Sequence, residues 1–179
     1  AAVGVLACAL SNSGNKATCA IVAGIAACGV AMGSNYYLDQ RRSEYADTSE
    51  RLQVMTQEVK DDTEKVAAKS ETMNQVIRDD QQQLAMIKSE IDSKTVDKAK
   101  AQKQIAIIDE NIVLMRKTLT NMQAKVGEYN KVAAQERADG AGDSVAALEQ
   151  QIGIMNQKVT AMQSEVDALY SQRTAINLG

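Results

Sequence analysis

From Ile105 the apolar positions advance in alternating steps of three and four: Ile105, Ile108, Ile112, Met115, Leu119, Met122, Val126 and Tyr129, with Ala133 continuing the frame. A second run, Val145, Leu148, Ile152, Met155, Val159, Met162, Val166 and Leu169, keeps the same alternation and reaches Ile176. Residues at this spacing share one narrow stripe of a helix, so both runs are predicted to be helices with a heptad seam. Between them lies ERADGAGDSV. Gly140 and Gly142 suit the end of a helix, and Asp143 or Ser144 can cap the next one. The two runs therefore read as an antiparallel helical hairpin over 101–179 with its turn near 138–144. Gly127 and Gly153 lie beside the seam, where each costs about 1 kcal/mol relative to alanine. A hairpin of only two helices is marginal against the entropy of ordering it, so further partner helices are expected.

The pattern over 39–100 is weaker. Tyr45, Leu52, Val59, Val66 and Met73 recur every seven residues, but the companion positions run Met55, Asp62, Lys69. The frame then slips by four to Ile77 and resumes at Leu84, Ile87 and Ile91, a stutter that locally unwinds a coiled coil. Residues 92–100, DSKTVDKAK, are nearly devoid of apolar side chains but contain no Gly or Pro. The expectation is a charged helical stalk that continues through them into one long helix. The alternative is a turn that makes a three-helix bundle. With a continuous helix the 52–73 stripe has no partner within the chain. The whole 45–91 stripe is then expected to serve self-association or docking on other envelope proteins. The Asp61–Asp62 and Asp79–Asp80 pairs are expected on solvated helix faces.

The N-terminal 1–38 differs in kind. Residues 17–33 carry no charge, about the lower limit for a membrane-spanning helix. Lys16 precedes the run, and Tyr36, Tyr37, Arg41 and Arg42 follow it, as interfacial aromatics and flanking cations do. Ala20, Gly24 and Cys28 repeat every four residues, as do Ala23, Ala27 and Ala31, and Gly29 and Gly33. Small residues at that spacing let helix backbones approach closely in lipid. AAVGVLACAL precedes it, joined by SNSGN as by a turn, so the segment is expected to form a short apolar helical hairpin. The fold class expected for the whole chain is all-α.

Composition narrows the function. The chain of 179 residues has no His, Pro, Trp or Phe, and aromatic residues make up 3%. Without His the commonest general acid/base and metal ligand is missing. The acids and bases are interspersed at a net charge of −3, which offers no basic patch for nucleic acid. There is no phosphate-binding glycine loop and no catalytic grouping, so no enzyme activity, cofactor or metal is expected. The seam methionines read as gap-filling core. Cys8, Cys19 and Cys28 match no zinc or redox spacing.

AGIAACGVAMGSNYYLDQRRSEY resembles the glycine-zipper segment of bacterial outer-membrane lipoproteins. The matching residues are Gly24, Gly29, Gly33, Tyr36, Tyr37, Leu38, Asp39 and Gln40. VLAC and IAAC similarly resemble lipoprotein signal boxes, which makes Cys8 and Cys28 candidate lipid-attachment sites. The peptidoglycan-binding domain that often follows in that family has no counterpart, and heptads stand in its place. The resemblance implies a bacterial cell envelope with the helical body in the periplasm. The flanking charges alone lean the other way, towards a cytoplasmic C-terminal side. The expected function is a non-enzymatic, membrane-anchored structural or scaffold coiled-coil protein, part of a larger assembly and in contact with membrane lipid. The alternatives are a soluble coiled-coil binding module and a membrane-inserting pore or translocation component.

Overall fold

The computed structural model describes residues 33–179, which are all-α. Four helices follow in order: α1 Ser34–Glu44, α2 Thr48–Asp92, α3 Lys98–Glu136 and α4 Ala146–Thr174. They contribute to two compact units.

The first unit comprises Lys69–Leu119 and Ala161–Gly179. Here the expected continuous helix is corrected: α2 ends at Asp92 and the chain turns through residues 93–97. The stop is a Schellman motif. Thr95 N–H donates to the Glu90 carbonyl at 2.8 Å and Lys94 N–H to that of Ile91 at 3.0 Å. Lys94 occupies the left-handed position, with φ 58°, that glycine usually takes. Asp97 then starts α3, its carboxylate accepting the Lys100 N–H at 3.1 Å.

Three helices share this unit. The Arg173 guanidinium donates to both Asp109 oxygens, at 2.6 and 3.1 Å, and Arg116 pairs with Asp167 at 3.5 Å; the two pairs in reversed order show that α3 and α4 run antiparallel. Gln172 donates to the Gln81 carbonyl at 3.1 Å, which sets α4 beside α2. Met73, Ile77, Leu84, Ile87, Ile105, Ile108, Ile112, Met115, Leu119, Met162, Val166, Leu169 and Ile176 form the buried interior.

The second unit comprises the described residues 33–68 together with 120–160. Its reversal spans a wide turn, Arg137–Ala141, and a single 3-10 turn, Gly142–Val145. Gly140 at φ 97° and Gly142 at φ 56° adopt conformations that L side chains resist. Asp143 meets the start of α4 through its main-chain carbonyl, which accepts from Ala146. Leu38, Leu52, Met55, Val59, Val66, Met122, Val126, Tyr129, Ala133, Val145, Leu148, Ile152, Met155 and Val159 are buried.

These burials correct a second expectation. Leu52, Met55, Val59, Val66, Met73, Ile77, Leu84 and Ile87 are at most 4% exposed within the single chain. The stripe is therefore covered from Leu52 to Ile87 within the single chain, while Tyr45 and Ile91 at its ends stay partly exposed. The physical reason is the turn at 93–97: it returns the chain along α2, which supplies the partner that a straight helix lacked.

Candidate functional site

The densest chemistry among the described residues lies where α1 folds back onto α2 and α3. α1 ends at Tyr45, whose N–H still bonds to the Arg41 carbonyl at 2.9 Å. Asp47 restarts the helix, its carboxylate accepting the Glu50 N–H at 2.8 Å. This aspartate-x-x-glutamate start resembles a capping box.

Only Leu38 of α1 is buried. Burying one leucine contributes about 2 kcal/mol, less than ordering eleven residues costs. Polar contacts must supply the rest. The Ser34 N–H, unpaired within its own helix, donates to Glu128 at 2.6 Å. Arg41 Nε donates to Glu58 Oε2 at 3.1 Å, and its Nη2 pairs with Oε1 of the same carboxylate. The Tyr37 hydroxyl also donates to Glu58, and its ring meets that of Tyr129 edge-on, with centroids 5.9 Å apart. Arg42 donates to Glu136 Oε1 at 3.2 and 3.1 Å and pairs with Asp139. Arg51 Nη2 reaches the other Glu136 oxygen at 2.9 Å. Glu136 is 1% exposed, so its charge is balanced by two guanidinium groups rather than by water.

A second set sits one layer further along. Asp62 accepts from the Tyr129 hydroxyl and from Lys125 Nζ at 2.8 Å. Burial pushes its pKa up, but the Lys125 and Tyr129 hydrogen bonds outweigh that and hold it below the ordinary carboxylate value. Tyr129 is raised by burial and then by the Asp62 carboxylate; Tyr37 is raised by burial and then by Glu58. Both phenols are therefore held as hydrogen-bond donors.

A cleft of about 270 Å³ opens between these groups, lined by Tyr37, Arg41, Glu58, Asp62, Lys125 and Tyr129 among others. Its charged groups are largely committed to one another. Among the described residues no group of three or more His, Cys, Asp or Glu could hold a metal. The arrangement fastens α1.

The seam residues Ile105, Ile108, Ile112, Met115, Leu119, Met122, Val126 and Tyr129 are buried, as are Val145, Leu148, Ile152, Met155, Val159, Met162, Val166 and Leu169. Gly33 is exposed just before α1. Cys8, Cys28, Ala20, Ala23, Gly24, Ala27 and Gly29 lie outside the described residues, and so does the uncharged run up to Met32. No helix among the described residues is long and apolar enough to cross a membrane.

Three features depart from the expectations of the sequence. Asp62 and Asp80, expected on solvated faces, are buried at 9% and 7% exposure. Both fall in the three-four frame of α2, between Val59 and Val66 and between Ile77 and Leu84, and that register was the available signal. Glu136 carried no comparable mark. Arg41 and Arg42, read as cations flanking a membrane segment, are spent on Glu58 and Glu136.

No protein-family model matches the chain, and comparison with curated proteins and with solved structures likewise finds no match.

Proposed function

We propose that the protein is a non-enzymatic, membrane-anchored structural protein of a bacterial envelope. Its N-terminal apolar segment holds lipid, and its helical body acts as a spacer or scaffold within a larger assembly. The observation that carries this reading is the junction at Ser34. An uncharged run of about seventeen residues leads directly into a helix tied to the body by Glu58, Glu128 and Glu136. A force on the apolar segment is thereby passed to the body through ion pairs rather than through a loose linker. The envelope placement rests on the glycine-zipper resemblance. With the stripe buried from Leu52 to Ile87, association between copies is assigned to the small-residue positions Ala20 to Gly33.

The test is extraction of the full chain from its native membranes with alkaline carbonate, followed by intact mass. Retention in the membrane pellet is expected. An unmodified mass then assigns anchoring to the apolar run, and an acyl addition at Cys8 or Cys28 assigns it to lipid. Complete release into the carbonate supernatant contradicts the proposal and favours the soluble binding module.

A further inference from the structure

Apart from the Asp47 cap, nothing in the local sequence requires the bend between α1 and α2. Residues 34–60 contain neither glycine nor proline, and Tyr45, Ala46 and Asp47 are each tolerated inside helices. The seven-residue apolar repeat runs through the bend in frame: Leu38, Tyr45, Leu52, Val59, Val66. Leu38 thus has two possible places. In the bent form it is buried against the body. In a straight helix it would continue the α2 stripe, one heptad beyond Tyr45.

Polar contacts hold the bend. Asp47 caps α2, Arg51 donates to the Tyr45 carbonyl at 3.2 Å, and Glu58 receives both Tyr37 and Arg41. Straightening gives up these contacts, those of Ser34 with Glu128 and Arg42 with Glu136, and the burial of Leu38; it gains helical hydrogen bonds across three residues, and extending an existing helix needs no new nucleus.

We infer that residues 45–47 are a hinge between this bent state and a straight one in which α1 and α2 form a single helix. Straightening carries Ser34 along the α2 axis by roughly 30 Å, since about ten residues at 1.5 Å each reverse direction. It also lengthens the apolar stripe of α2 by Leu38 and Tyr45. Gly33, which precedes α1, is then carried beyond the start of α2 instead of beside it.

The test places spin labels on non-natural residues at positions 36 and 60 of the full chain. Both positions are exposed. In the bent state Tyr37 touches Glu58, so the labels report a short separation between neighbouring helices, roughly 10–25 Å. In the straight state 24 residues of helix separate them, about 36 Å. Asp47→Ala with Glu58→Gln loosens the bend and should populate the 36 Å peak at least tenfold over the wild type. Adding Thr48→Pro should abolish that peak, because proline suits the first position of α2 and bars continuation from α1. A broad distribution in the loosened variant means that α1 melts instead of joining α2, and overturns the inference. So does a distribution that stays short while the circular dichroism is unchanged. Should the double variant unfold, Glu58→Gln alone gives the same reading, since it leaves the apolar interior intact.

Discussion

The Asn111 amide donates to both carboxylate oxygens of Asp80, at 3.3 and 3.0 Å, in the interior shared by α2 and α3. Burial pushes the Asp80 carboxyl up to about 6 from an ordinary 3.8, and neighbouring Asp79 adds to this against the Asn111 hydrogen bond. A carboxyl raised in the folded state favours folding when protonated. Its stabilisation is complete below the unfolded value of 3.8 and is lost as pH rises through about 6. The loss is on the order of 2 kcal/mol between about pH 4 and 7.5. Asp80→Asn should remove that slope and be the more stable protein at pH 8, as urea unfolding at several pH values will show.

Glu136 joins two helices through two arginines, and its two bonds should differ in strength. Arg51 is 8% exposed, whereas the Arg42 side chain is 35% exposed. Glu136→Ala leaves Arg51 buried without its counter-charge and should cost about 3–5 kcal/mol. A double-mutant cycle should give a coupling of about 2 kcal/mol or more for Arg51 with Glu136, and under about 1 kcal/mol for Arg42 with Glu136.

Glycine should have opposite value at different points of the chain. Gly140 and Gly142 sit at positive φ, so alanine at either should destabilise by about 1–2 kcal/mol. Gly127 and Gly153 lie within helices, and a methyl group added at either meets nothing within 4 Å. Alanine there should stabilise by about 1 kcal/mol each. Thermal unfolding of the four single variants checks the change of sign.

Lys94 presents the reverse case. It holds φ 58° at the end of α2, where a lysine pays a steric cost that glycine avoids. Lys94→Gly should stabilise by about 1 kcal/mol, a rise of roughly 2–4 °C in Tm.

That lysine also explains why part of the fold was hidden in the sequence. The reversal at Gly140 and Gly142 was legible because glycine marks backbone that other residues resist. The reversal at 93–97 uses Lys94 in that role and Asp97 as a cap, and neither stands out in a charged segment. The α3 and α4 seams were legible because their apolar residues keep the three-four frame. In α2 the same frame is interrupted by Lys69 and by Asp62 and Asp80, and the burial of the two aspartates depends on Lys125, Tyr129 and Asn111 from another helix. The α1–α2 bend is marked only by the Asp47-x-x-Glu50 start, and the repeat from Leu38 to Leu52 passes straight through it. Glu136 owes its importance to Arg42 and Arg51, more than eighty residues away, a separation that no local pattern spans.

The central claim, that the apolar N-terminal run is the anchor of an otherwise self-contained helical body, is tested most directly by flotation of the full chain with phospholipid vesicles. Wild type is compared with Ala23→Lys/Ala27→Lys, which places two charges in the run at about 2.5–3.5 kcal/mol each near a membrane centre. The account predicts that wild type floats and the variant stays in the dense fraction with unchanged helical content. Equal flotation of both, or failure of the wild type to float at all, would contradict it.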